Sequence, residues 1–125
     1  MPQILVAVPY PAMRQALALA LRQAGWQVAL AQTGGEALKA LEQTPYDALV
    51  LDMDSPSGNS WNVLQAVQMS HEPIPVVGLF GPESPRVPEA QALGVRVILP
   101  KPVSKQALMI GVNAALQVRP DQSQS

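Results

Sequence analysis

Asp52 closes an unbroken apolar run, Ala48-Leu-Val-Leu51, and opens the polar stretch Met53-Asp-Ser-Pro-Ser-Gly-Asn59. A carboxylate at the rim of a buried strand can act as a nucleophile or a metal ligand. It can equally start a polar turn, since Asp and Asn bond their own backbone two residues on. For an isolated aspartate the turn is the commoner outcome. Lys101 alters that balance, because it follows the run Val95 to Leu99 within Pro100-Lys-Pro102. A lysine placed beside a carboxylate at neighbouring strand ends is a site constellation rather than turn chemistry. Whether the two meet depends on the elements that carry them.

Apolar runs of strand length alternate with stretches of helical period from end to end, which reads as βα repeated five times. Gln3 to Val8 is the first strand, and its continuous Ile-Leu-Val-Ala-Val implies burial on both faces, as a parallel sheet requires. Pro11 suits the first turn of a helix whose apolar face carries Met13, Ala16, Leu17, Leu19, Ala20 and Leu21, with Gly25 as its stop. Trp26 to Ala31 is the second strand, and Thr33-Gly-Gly-Glu36 has the spacing of a capping box for the second helix. Ala48 to Leu51, Pro75 to Leu79 and Val95 to Leu99 are the remaining strands. A third helix is expected from about Ser60 to Met69, and Ser104 caps a last helix bearing Leu108, Val112, Ala115 and Leu116. Pro82, Pro85 and Pro88 forbid a regular helix before about Pro88, so the fourth helix shrinks to a turn or two ending near Leu93.

Right-handed crossovers convert this alternation into a doubly wound parallel sheet of order 2-1-3-4-5 with helices on both faces. Ligands of such sheets bind at the carboxyl ends of the strands. The loops selected are Pro9-Tyr10, Asp52 to Gly58, Phe80-Gly81 and Pro100-Lys101-Pro102, so Asp52 and Lys101 fall on one rim.

Composition removes several other classes. The 125 residues, 48% hydrophobic and 14% charged, suit one domain with a substantial core. Net charge is −1 with no Lys/Arg cluster, which argues against nucleic-acid binding by this segment. The absence of cysteine excludes disulfides and thiolate chemistry and agrees with a reducing cytoplasm. No apolar run approaches the ~20 residues needed to span a bilayer, and the N-terminus does not read as a signal peptide. The expectation is a cytoplasmic domain over residues 1–118, with a polar tail or the start of a linker over 119–125. His71 reads as a solvated loop residue, and Trp26 and Trp61 as packing residues.

Ile4-Leu-Val6, Pro11-Ala-Met-Arg14, Asp47-Ala-Leu-Val-Leu-Asp52, Pro56 and Leu99-Pro-Lys-Pro102, in this order, resemble the receiver domain of bacterial response regulators. The resemblance spans about residues 3 to 118 and implies a (βα)5 flavodoxin-like three-layer sandwich. It implies that Asp52 is the position that accepts a phosphoryl group from a histidine kinase in phosphorelay signalling. Lys101 matches the lysine that contacts the phosphoryl oxygens, and Lys101-Pro102 matches a peptide that is usually cis.

The departures bear on function. Receivers place two acidic residues after strand one to hold Mg²⁺; the matching residues are Val8 and Pro9, which offer no side-chain oxygen. Loss of the ion removes on the order of several kcal/mol of transition-state stabilisation, at about tenfold in rate per 1.36 kcal/mol. Phe80 replaces the hydroxyl residue after strand four and is expected to fill the volume a phosphoryl oxygen needs. Ile98 replaces the switching aromatic of strand five. Asp54 could supply one replacement metal ligand beside Asp52, but the family uses that position mainly through its backbone carbonyl, so Mg²⁺ binding is expected to be weak or absent. Asp52 and Lys101 would then persist as an ion pair.

The favoured reading is a divergent, pseudo-receiver-like interaction module, not an enzyme, with phosphorylation weak or absent. Its expected partner is a signalling protein, such as a histidine kinase or an output protein, on the face of the fourth helix, fifth strand and fifth helix, with a second copy of the chain as an alternative. No membrane partner is expected. Two alternatives stand beside it. One is a working phospho-acceptor at Asp52, and the other is a small ligand-binding protein of flavodoxin-like fold.

Overall fold

The computed structural model describes residues 2–54, 59–82 and 84–117. Pro56 and the expected tail, with its boundary at residue 118, lie outside the described residues. The elements follow in strict alternation: β1 (Gln3–Ala7), α1 (Pro11–Gln23), β2 (Gln27–Ala31), α2 (Gly34–Gln43), β3 (Ala48–Asp52), α3 (Asn59–Gln68), β4 (Val76–Phe80), α4 (Val87–Ala92), β5 (Val95–Pro100) and α5 (Lys105–Gln117). All strand pairs are parallel and the order is β2-β1-β3-β4-β5, as the alternation predicts.

Local chemistry explains where the elements begin. The Glu36 N–H donates to Thr33 Oγ1, and the Glu36 carboxylate accepts from the Gln32 N–H, one residue before the cap. The box therefore closes on the residue preceding the threonine. Ser104 Oγ accepts from the Ala107 N–H at the start of α5. Gly25 and Gly94 follow α1 and α4 with φ of 92° and 102°, a region that other residues avoid. Pro88 sits in the first turn of α4, where no backbone donor is required, so the helix begins at Val87 and spans only six residues.

Two apolar clusters fill the space on either side of the sheet. Ile4, Val6, Val8, Val50, Val77 and Leu79 face α1 and α5. Leu5, Leu49, Leu51, Met53, Val76 and Phe80 face α2, α3 and α4. The alternation within each strand decides which side chains share a face. Asp52 continues the row of Ala48 and Val50 toward α1 and α5. Phe80 continues the row of Val76 and Gly78 toward the opposite layer.

Candidate functional site

Three polar or charged side chains are buried among the described residues, namely Arg14, Asp52 and Ser60, and all three gather at the carboxyl ends of the strands. Each has a partner, as burial of a polar group demands. Arg14 Nη1 donates to the Val8 carbonyl at 2.9 Å and so fixes the turn between β1 and α1. Ser60 Oγ donates to the backbone carbonyl of Asp52, tying the start of α3 to the end of β3.

Asp52 has no exposed surface. Lys101 Nζ lies 3.1 Å from each of its carboxylate oxygens, forming an ion pair whose lysine side chain is 20% exposed. The Asp54 N–H also donates to Asp52 Oδ1 at 2.9 Å. Both readings of the opening sequence therefore hold at once, since Asp52 organises its own turn and also meets a lysine carried by another loop. Backbone bonds aim the two strand ends: the Met53 N–H donates to the Leu79 carbonyl, and the Lys101 N–H to the Phe80 carbonyl. The Lys101-Pro102 peptide is cis. Tyr10, 43% exposed, places its ring centroid 5.7 Å from Lys101 Nζ. That distance is within reach of a cation–π contact.

The structure corrects the expectation for Phe80. Its ring does not occupy the mouth beside Asp52 but lies in the core on the other side of the sheet, 1% exposed. Gly78 makes this possible. A Cβ there would stand 2.9 Å from Phe80 Cε1, 3.1 Å from Val95 Cγ1 and 3.3 Å from Met53 Cγ. The ring thus folds back along β4 into the space that a side chain at residue 78 would fill. Ile98 is paired with Gly78 across the β4–β5 ladder and packs against the same cluster. Position 80 loses its hydroxyl, but it does not plug the site.

The residues present do not fit a Mg²⁺ ion. Mg²⁺ requires hard oxygen ligands in near-octahedral array. Val8 and Pro9 provide no side-chain oxygen, and the Val8 carbonyl is engaged by the Arg14 guanidinium. Asp54 does not turn toward Asp52; its Oδ2 accepts instead from the Gly81 N–H on the neighbouring loop. Among the described residues no group of three acidic, histidine or cysteine side chains could hold a metal ion.

A second feature fixes the loop before α4. The Arg86 guanidinium stacks 3.6 Å from the centroid of the Trp61 ring on α3 and makes two hydrogen bonds to the Glu89 carboxylate, at 3.1 and 2.8 Å. The hydrogen bond to Arg86 holds the Glu89 carboxyl below its ordinary value, and the same bond raises Arg86. A cleft of about 450 Å³ between α2 and α3, lined by Leu38, Leu41, Tyr46, Val67 and Ile74, lies at the opposite end of the sheet and includes none of the expected site residues. Arg14 falls within Pro11-Ala-Met-Arg14 and Gly81 within the loop after β4, but the contacts they make across loops, and the role of Gly78 beside Phe80, carry no signal in residue type.

Known proteins resemble this chain in sequence and fold. The response regulator receiver domain family matches residues 4–113. The response regulator MprA of Mycobacterium leprae is 32% identical over 113 residues, covering 88% of this chain and 49% of that protein. The CAI-1 autoinducer sensor kinase/phosphatase CqsS of Vibrio cholerae is 28% identical over 116 residues, 90% of this chain and 17% of that protein. The chain therefore spans about half or less of these two relatives. Among solved structures, the Francisella response regulator 1452 receiver domain superposes with a TM-score of 0.85 at 26% identity, covering 94% of this chain and 98% of that one. The Vibrio cholerae chemotaxis protein CheY4 gives 0.83 at 25%, covering 92% and 98%. With the sheet order, the paired Asp52 and Lys101 and a match over residues 4–113 in agreement, this chain belongs to the response regulator receiver domain family.

Proposed function

We propose that this receiver domain acts in two-component signalling mainly as a protein interaction module, with Mg²⁺-dependent phosphorylation of Asp52 weak or absent. The observation that carries the reading is the ligand set at the end of β1. Receiver chemistry needs a divalent ion to offset the charge gathered on the acceptor carboxylate and the incoming phosphoryl group. Here Val8 and Pro9 stand in place of the acids, Arg14 takes the Val8 carbonyl, and Lys101 alone offsets Asp52. The partner face is the surface of α4, β5 and α5. It exposes Ile110 on α5, and the Trp61–Arg86–Glu89 contact holds the entry to α4 in one arrangement. Titration with Mg²⁺ tests the reading. No saturable binding at millimolar concentration is expected, and a tight site lost in Asp52→Asn would overturn it.

The geometry of Asp52 and Lys101 favours a second reading, a working phospho-acceptor at Asp52. It is separated from the first by the same titration, since it requires the ion to bind.

A further inference from the structure

The two carboxylates at the mouth divide the nearby hydrogen-bond donors between them. Asp52 takes Lys101 Nζ and the Asp54 N–H. Asp54 takes the Gly81 N–H through Oδ2, which fastens the turn after β3 to the first residue beyond β4. Glycine suits that contact, because a Cβ at residue 81 would stand 3.2 Å from the same oxygen, closer than an ordinary van der Waals approach. Lys101 is committed to Asp52, and the only other ion pair among the described residues joins Arg86 to Glu89. Among the described residues the Asp54 carboxylate therefore has no cation partner, although it lies next to the buried, paired Asp52.

From this arrangement we propose that Asp54 is a built-in anion. Its carboxylate holds the Gly81 N–H that an incoming tetrahedral oxyanion would need, and its charge repels that oxyanion from the Asp52–Lys101 pair. A phosphoryl group arriving at Asp52 carries charged oxygens that must each exchange water for a protein donor. Two donors at this rim bear directly on the proposal. Lys101 can share a proton, and the next candidate, the Gly81 N–H, is taken by the protein's own carboxylate. Asp54 is thus a specificity-determining residue that works by occupation and repulsion, and it closes the site independently of the missing metal ligands. The proposal deepens the reading of a receiver with weak phosphorylation and rests on it.

The test is a titration of the full chain with inorganic phosphate, without Mg²⁺ or a phosphodonor, followed by the amide resonances of Gly81 and Lys101. The wild-type resonances are expected to show no saturable shift at millimolar phosphate. Asp54→Ala frees the Gly81 N–H and removes the charge; Asp54→Asn keeps the size and removes only the charge. Either variant is expected to bind phosphate at least about tenfold more tightly than wild type, the factor associated with losing one unfavourable charge contact near a surface. Should Asp54→Ala fail to fold, Asp54→Asn carries the test. Folded variants that bind no more tightly than wild type would overturn the proposal, as would wild-type protein that already binds saturably. Such results leave the reading of weak phosphorylation standing, because that reading is tested separately, by Mg²⁺ titration and by acyl phosphate formation on Asp52.

Discussion

Lys101 Nζ stands 3.1 Å from both carboxylate oxygens of Asp52, a side chain with no exposed surface, so each group is the other's principal compensation. Removing one partner strands a buried charge, which costs about 3–5 kcal/mol, whereas replacing both by neutral groups of similar shape costs far less. Lys101→Ala is therefore expected to lose about 3 kcal/mol in urea unfolding, toward the lower end because the lysine keeps some exposure. The double variant Asp52→Asn, Lys101→Met should recover most of that loss. A Lys101→Ala protein as stable as wild type would show that the pair contributes little.

Phe80 and Gly78 form a second coupled pair. A methyl group on Gly78 would press on the Phe80 ring, Val95 and Met53 together, so Gly78→Ala is expected to cost about 1–3 kcal/mol through overpacking. Phe80→Ala should cost roughly 3–5 kcal/mol through the cavity it leaves. Combined, the two changes should cost clearly less than the sum of the single losses, since the new methyl enters the vacated space. Additive losses in thermal or urea unfolding would contradict the packing described for the ring.

The Trp61–Arg86–Glu89 contact gives a spectroscopic handle. Arg86 and Glu89 are exposed, so their removal should change stability little, whereas Trp61 also packs against the core. The fluorescence of Trp61, read in a Trp26→Phe background, should shift in Arg86→Ala and, by a smaller amount, in Glu89→Gln. The pH dependence has a definite sign. The Glu89 carboxyl is depressed in the folded chain by its hydrogen bond to Arg86, so the contact is complete above the unfolded carboxyl value and is lost as pH falls through the folded one. An acid-dependent fluorescence change that persists unaltered in Glu89→Gln would assign it to another group.

The missing acids can be restored. Val8→Asp, Pro9→Asp places two carboxylates at the end of β1 and is expected to bind Mg²⁺ more tightly than the wild-type chain, measurable by calorimetry. The Phe80 ring lies in the core rather than in the mouth, so it should not obstruct the ion. If the double variant folds and still binds no Mg²⁺, the β1 residues are not what prevents binding.

The architecture was legible from alternation alone. Ile4 to Val8 and Ala48 to Leu51 are apolar on successive residues and of strand length, as a strand covered on both faces would be, and the observed elements differ from expectation by single residues at their ends. Asp52 and Lys101 could be placed together because the strand order puts β3 and β5 on either side of β4 and their ends on one rim. Phe80 could not be placed so well. Its direction depends on the β4 row it shares with Gly78 and on the absence of a side chain there, a relation between two residues that residue type does not encode. The same holds for Asp54, whose partner is the backbone amide of Gly81 on another loop.

On the proposed reading Asp52 is an ion-pair member at a rim without the β1 acids that phosphoryl acceptance requires. The most direct test incubates the full chain with acetyl phosphate and Mg²⁺ and measures the intact mass. No stable addition of a phosphoryl group is expected under conditions that modify a receiver with both acids present. A near-stoichiometric acyl phosphate on the wild-type chain, absent from Asp52→Asn, would contradict it.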